Sequence, residues 1–342
     1  MMRAGSRSTA VFRRPEGTER EAIPVVDRED RATPRQRRDT DSDTDTDSDT
    51  DRDTDRDTEA KTQRGGRVRI AVTGASGRLG RAVVAAAAAE GHEVVALDKV
   101  AEPAARTSAS LPVTAVDVTD YDALRARLAG CEGLIHLAAR PSPWDAPPHV
   151  VHANNVVGTY NALMAAAEVG IRRVVCASSI NAIGGIYSRR PRYDYLPVDE
   201  AHPTYAEDAY SLSKWLGEQQ ADAVARLYPD MRIASLRFHG IRPGPPPREV
   251  APPDQLAAEA KHLWGWVDLD ASVRACLLGL RADFTGHEVF FIVAPTTTSA
   301  IESAELHRRF YPDVPLRRPL ERHEGFYDCQ KATRVLGWTH DA

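Results

Sequence analysis

Tyr210 and Lys214 are four positions apart, a spacing that puts both side chains on one face of a helix. A free phenol titrates at about pH 10, too high for a base at neutral pH. A neighbouring ammonium favours the phenolate and lowers that value. The pair can therefore move a proton, and Lys214 can also donate to a ribose hydroxyl. Ser179 ends an apolar run, where its hydroxyl can hold a reacting oxygen against Tyr210. About 130 residues before Tyr210 lies Gly74-x-x-Gly77-x-x-Gly80. Its glycines permit a tight turn and a close approach of backbone N–H groups to phosphate, and a helix opening near Leu79 points its positive end at the same place. A lone glycine triplet or a lone Tyr/Lys pair is a weak signal, because both recur on ordinary turns and surface helices. In this order they imply movement of a hydride between a nicotinamide and an alcohol or ketone.

Asp98 stands 18 residues after Gly80, at the end of the next apolar run. A carboxylate there can accept hydrogen bonds from the adenosine ribose and would repel a 2′-phosphate. That favours NAD. Arg78, Arg81 and Lys99 are close enough in sequence to neutralise a phosphate, so NADP stays open. The plainer reading of Asp98 is a solvated carboxylate at a strand end.

These residues need a scaffold that brings distant segments together. From residue 66 onward, short apolar runs alternate with helical patterns. The pattern predicts strands over Val68–Val72, Val94–Leu97, Val113–Val116, Gly133–Leu137, Arg173–Ala177 and Arg232–Arg237. Helices are expected over Leu79–Glu90, Asp120–Leu128, Asn155–Val169 and Tyr210–Leu227. Such alternation gives an α/β fold, a doubly wound parallel (Rossmann) sheet with ligand at the carboxyl ends of the strands. Prolines over 243–253 exclude regular helix there, after which Val267–Leu280 reads as helix and Val289–Val293 as strand. Residues 66–240 form the expected dinucleotide-binding domain. Residues 241–342 form a small substrate-binding portion interleaved with it.

Residues 39–59 place Asp or Glu at every odd position with no apolar residue between them, so nothing offsets the entropy of ordering them. Residues 1–65 are expected to be a disordered tail. They carry 14 Lys/Arg and 17 Asp/Glu, a net charge of −3 within the total of −5. The remainder is nearly balanced and gives no electrostatic case for nucleic acid or an anionic membrane. The Asp-Thr repeat lacks the turn glycine and terminal Glu of a calcium loop, and no metal is expected. No secretory signal or membrane span is read. Cys131, Cys176, Cys276 and Cys329 have no metal-ligand spacing. They suit reduced thiols in a cytoplasmic protein.

The chain from about residue 66 to its end resembles the extended short-chain dehydrogenase/reductase family, the NAD-dependent epimerase/dehydratase group. The resemblance is carried by TGASGRLG at 73–80, Asp98, Asp117-Val118, HLAA at 136–139 and NVVGT at 155–159. It continues through ASS at 177–179, YSLSK at 210–214, Arg237…Gly244-Pro245 and Asp328…Lys331…Leu336-Gly337. It implies Ser179, Tyr210 and Lys214 as the catalytic triad. It implies that Gly74, Ser76, Gly77, Arg78, Leu79 and Gly80 cradle the cofactor, with Asp98 on the ribose and Asp117 and Val118 near the adenine. Leu137, Ala138 and Ala139 would complete the floor, and Asn155 would bend its helix or relay protons. A homodimer paired through the Asn155–Val169 and Tyr210–Leu227 helices is expected from the same resemblance.

Several readings of the reaction compete. Sugar dehydratases of this family carry Thr-Asp-Glu where this chain has Ser179-Ile180-Asn181, so the acid and base for water loss are missing. Nucleotide-sugar epimerases keep the same triad, but resemble chains with a larger portion after the catalytic lysine. A compact dehydrogenase of a sugar, sugar acid or small polyol fits best. The segment 177–184 and the Pro-Pro-Arg run ending at Arg248 resemble uronate and sugar dehydrogenases. In uronate dehydrogenases an Arg near this position holds the substrate carboxylate, a task that suits a guanidinium. They usually have Asn-His after the serine pair, unlike Ile180-Asn181. Asn181, His239 and Arg248 are the candidate substrate contacts, while a solvated loop charge is the plain reading of Arg248. The Tyr- and Arg-rich insertion 185–209 reads as a pocket wall or as a brace. A non-catalytic dinucleotide sensor is the alternative from another class, disfavoured by retention of Ser179, Tyr210 and Lys214.

Overall fold

Thr73, Asp98, His136, Ser179 and Phe238 each end a strand of one sheet, and the sheet therefore delivers their side chains to one edge. The computed structural model describes residues 66–101, 111–248 and 250–341. The expectation of a disordered tail over 1–65 lies outside the described residues. In chain order the strands are β1 (Arg69–Thr73), β2 (Glu93–Asp98), β3 (Val113–Ala115), β4 (Gly133–His136), β5 (Arg173–Ser179), β6 (Arg232–Phe238), β7 (Ile241–Arg242), β8 (Val267–Asp268) and β9 (Gly286–Ile292). The helices are α1 (Arg78–Ala89), α2 (Tyr121–Leu128), α3 (Pro148–Glu168), α4 (Ala209–Leu227), α5 (Pro253–Ala260), α6 (Leu269–Arg281), α7 (Ser303–Phe310) and α8 (Gln330–Leu336).

The sheet order is β3-β2-β1-β4-β5-β6-β9, every pairing parallel. The order reverses between β1 and β4, the crevice where this architecture binds ligand. One face packs on α1 and α6 through Val83, Val84, Ala87, Cys276 and Leu280. The other packs on α2, α3 and α4 through Leu124, Leu163, Ala166, Ala221 and Val224. Burial on both faces explains the continuous apolar runs of the central strands. A third cluster, with Trp264, Phe291 and Phe326 at its centre, holds the later part of the chain together.

The expected α/β architecture is the one observed, with shifted boundaries. Helix α3 starts at Pro148 rather than Asn155, since proline suits a first helical turn. Strand β5 runs on to Ser179. The expected helix 267–280 is a two-residue strand followed by α6, with Asp268 capping the helix through the amides of Asp270 and Ala271. Helix α5 opens at Pro253, at the end of the proline run. The insertion 185–209 has little regular structure, and isolated bridges pin it to the carboxy-terminal segment at Leu196–Leu316 and Val198–Tyr327. No helix among the described residues is long and apolar enough to cross a membrane.

Candidate active site

The β1–α1 turn is closed by the Gly77 amide donating to the Gly74 carbonyl at 3.1 Å. Gly74 has φ +71°, and a Cβ there would stand 2.7 Å from the Ala138 nitrogen. A Cβ on Gly80 would collide with the Gly74 carbonyl. Strand and helix thus meet closely enough that only hydrogen fits at either position. Gly77 caps α1 without a side-chain acceptor, which leaves the first helical N–H groups for an anion.

Asp98 is anchored at the end of β2: its Oδ2 accepts from Ser76 N at 2.9 Å and its Oδ1 from Lys99 N at 2.6 Å. Lys99 Nζ lies 2.8 Å from Asp117 Oδ2 and draws that carboxyl down to about 2. A cleft of about 1260 Å³ runs from these residues to Tyr210. Gly74, Gly77, Arg78, Leu79, Gly80, Asp98, Asp117, Val118, Leu137, Ala138 and Ala139 all line it. Ser76, expected in the cradle, is not among the cleft-lining residues, and its Oγ is buried without a partner in the protein. Arg78 donates to the Ile241 carbonyl at 3.1 Å, and the adjacent Arg242 lines the cleft with its Nε buried and unpartnered. Uncapped amides, two guanidiniums and an anchored carboxylate fit a dinucleotide: phosphate on the turn, ribose on Asp98.

The reacting end is equally specific. Asp208 caps α4 by accepting from the amides of Tyr210 and Ser211, both at 2.9 Å, which sets Tyr210 in the first turn. Ser179, Tyr210 and Lys214 all line the cleft. Ser179 Oγ accepts from the Asn181 amide N–H at 3.1 Å and from its side-chain Nδ2 at 3.2 Å. Burial pushes the Tyr210 phenol up to about 12, against a hydrogen bond with Ser179 that pulls it down. Burial also lowers Lys214 to about 8. Its Nζ is 5.7 Å from the Tyr210 ring centroid and donates to the Ala177 carbonyl at 2.7 Å. The expectation that the ammonium dominates the phenol is corrected here. Desolvation is the larger effect, because both groups lie inside the protein.

Three features surround the triad, of which only the 185–209 insertion was read from sequence. Glu218, one turn beyond Lys214, accepts from Arg237 Nε and Nη2 at 2.8 Å each and from Ser178 Oγ at 2.6 Å. This buried pair ties α4 to β5 and β6 beneath the site; its i+4 spacing from Lys214 was the available signal. His136 is held neutral by burial, its pKa near 3, with Nδ1 2.8 Å from Thr73 Oγ1. Tyr187 from the insertion lies edge-on to Tyr210 at 5.7 Å, and Trp144 packs on Tyr187 at 4.8 Å.

Asn155 is buried, accepting from Arg140 N at 2.8 Å and donating to Ser213 Oγ at 3.0 Å; its neighbour Asn154 lines the cleft. Asn181 lines it too, but its Oδ1 is taken by the Ile186 amide at 3.1 Å. His239 lines the cleft and is neutral, lowered to about 3 by burial, with Nε2 3.1 Å from the His262 carbonyl. Arg248 is exposed and is not among the cleft-lining residues. Leu263 and Trp264, which follow His262, have φ of +57° and +50°. Two successive left-handed residues without glycine are costly, about 1–3 kcal/mol each, and such strain collects at functional turns.

Comparison with known proteins adds a family to this geometry. The model of the NAD dependent epimerase/dehydratase family matches residues 70–246. The L-arabinose 1-dehydrogenase (NAD(P)(+)) of Haloferax volcanii is 32% identical over 207 residues, covering 57% of this chain and 76% of that enzyme. A protein of Synechocystis sp., provisionally described as a dihydroflavonol 4-reductase, is 34% identical over 169 residues; the chain spans 47% of its length and the match covers 48% of the chain. Among solved structures, a mutated uronate dehydrogenase superposes with a TM-score of 0.57 at 25% identity, covering 80% of this chain and 82% of that one.

Proposed function

Because this chain belongs to the NAD dependent epimerase/dehydratase family, we propose that it is a dehydrogenase oxidising a secondary alcohol or hemiacetal of a sugar, sugar acid or small polyol. The observation that carries the reading is the convergence of Ser179, Tyr210 and Lys214 on the cleft wall that continues from Asp98. Similarity to an arabinose dehydrogenase and a uronate dehydrogenase supports the sugar. NAD, held by the glycine turn and Asp98, would supply the acceptor for the hydrogen and electron pair that leave the alcohol carbon.

Ser179 holds the alcohol oxygen through its hydroxyl. Tyr210 takes the alcohol proton as the carbon–oxygen bond becomes a carbonyl, and Lys214 stabilises the phenolate by its charge. Because burial favours the neutral phenol, Tyr210 is poised as the acid in the reverse direction. In oxidation it must first release its proton. Asp98 would favour NAD over NADP.

An epimerase with the same triad would hold its reduced cofactor and return the hydrogen to the sugar. A sensor would bind NAD without turnover. Incubation with NAD and a panel of aldoses, uronates and polyols, followed by absorbance of the reduced cofactor, separates them. Accumulating reduced cofactor is expected; NAD binding with no turnover on any of them contradicts the dehydrogenase. We further read the protein as a cytoplasmic homodimer. Val157 and Tyr160 on α3 are 44% and 47% exposed, an apolar strip suited to a partner helix. All four cysteines are free. Light scattering after size exclusion tests the dimer.

A further inference from the structure

The cleft wall beyond Ser179 carries polar groups that the steps above do not use. Gln255 and Glu259 are one turn apart on α5, the Gln255 amide donating to Glu259 Oε1 at 2.8 Å, and both line the cleft. His262 and Thr298 extend this wall, and His262 Nδ1 and Thr298 Oγ1 are buried without a hydrogen-bond partner in the protein. Contacts on two sides fix the wall beside the reacting groups. The 185–193 segment starts at the Asn181 amide that bonds Ser179, and Tyr193 Oη donates to the Lys261 carbonyl at 2.9 Å. Just after β6, His239 meets His262 edge-on with ring centroids 5.1 Å apart.

We propose that this wall binds the hydroxyls of an uncharged sugar or polyol and rejects substrates bearing a carboxylate or phosphate. The inference rests on the dehydrogenase reading and narrows its substrate class. A carboxylate accepts from hydroxyls; an amide and a neutral imidazole each donate and accept. Burial lowers the His262 pKa and keeps that ring neutral. The unpartnered His262 and Thr298 atoms are left for a ligand, since buried polar groups are otherwise satisfied. The Tyr187 ring supplies an apolar face at the same end.

An anionic substrate would meet Glu259 here, and Lys261, Lys214 and Arg140 are already engaged. Lys261 Nζ donates to the Ser188 carbonyl at 3.0 Å, Lys214 to that of Ala177 at 2.7 Å, and Arg140 lies 3.3 Å from Asp145. Arg78 belongs to the glycine turn and donates to the Ile241 carbonyl at 3.1 Å; Arg242, next to Ile241, lines the cleft with an unpartnered Nε and is the cation assigned above to the dinucleotide. Like charge placed against Glu259 in a cleft is costly.

The test uses matched pairs that differ only in a hydroxymethyl or a carboxylate: D-galactose with D-galacturonate and D-glucose with D-glucuronate. Turnover and calorimetric binding are measured on the NAD-saturated protein and on Glu259→Gln. The neutral member of a pair should exceed its uronate by about tenfold in kcat/KM or affinity, the size of a contact-based discrimination. Glu259→Gln should narrow that ratio by about threefold or more, as expected on removing one like charge. Neutral sugar bound selectively but never oxidised supports this inference and defeats the dehydrogenase reading. A uronate bound or oxidised as well as its neutral partner, a ratio unmoved by Glu259→Gln, or no binding of either member overturns the inference.

Discussion

The two ends of the cleft are built in different ways. At the nucleotide end, a single β–turn–α unit supplies most of the groups: the Gly74–Gly80 turn, the uncapped start of α1 and Asp98 one strand later. Its tolerances are set by backbone against backbone, as at Gly80 over the Gly74 carbonyl. At the substrate end, the wall is assembled from the 180–193 segment, the turn after β6, the 255–266 region and Thr298. There the close contacts are of side chain against backbone, such as the His239 ring over Gly265. A rigid local motif suits a cofactor common to a family, whereas a wall assembled from loops can change its substrate without disturbing the fold.

The largest effect should come from the residue where the two ends meet. Tyr210→Phe should lower kcat by about 10³-fold, the scale of a lost general acid–base group, while fluorescence titration shows unchanged NAD affinity. Activity near the wild-type level in that variant would remove the proton role. Next in size, Gly80→Ala should destabilise the fold by about 1–3 kcal/mol in urea unfolding, because backbone cannot yield to the added methyl, and weaken NAD binding with it. Asp98→Asn should reduce the preference for NAD over NADP by about tenfold through loss of a ribose-binding charge. Comparing kcat/KM for both cofactors checks it, and an unchanged ratio would make Asp98 structural only.

The pH profile tests the coupling between ends. Oxidation needs the phenolate of Tyr210, near 12, together with the ammonium of Lys214, near 8. Below pH 8 the ammonium is present and the phenolate grows, so kcat/KM should climb about tenfold per unit. Above pH 8 loss of the ammonium offsets further gain in phenolate, and the profile should level off. A flat profile below pH 8 would show that phenol ionisation does not limit the free enzyme. The smallest effect is expected at the substrate end. Gly265→Ala places a Cβ 2.7 Å from His239 Cδ2, a side chain that can shift at the expense of its hydrogen bond to the His262 carbonyl. Its cost should be about 1 kcal/mol or less, appearing in KM for sugar and not in NAD affinity.

Legibility from the sequence followed the same division. The glycine turn, Asp98 and the Tyr/Lys pair are local patterns on elements of plain periodicity, so their positions at strand ends and at the start of a helix could be read directly. Ser179 followed from the end of an apolar run, although β5 continues to that residue rather than stopping at Ala177. The substrate wall was legible only in part, at Asn181, His239 and the 185–209 insertion, because its other members meet only through long-range contacts. Tyr193 reaches Lys261, and Val198 pairs with Tyr327. Arg248 looked apt for an anion by its place in the chain, yet it stands exposed and off the cleft lining, whose polar members there include Glu259 and His262. The phenol and lysine shifts depend on burial, which spacing alone does not report.

The central claim is net oxidation of a free sugar, and product stoichiometry tests it most directly. With NAD and an aldose, reduced cofactor should accumulate in solution mole for mole with oxidised sugar. Interconversion of sugar epimers with no free reduced cofactor would contradict the account.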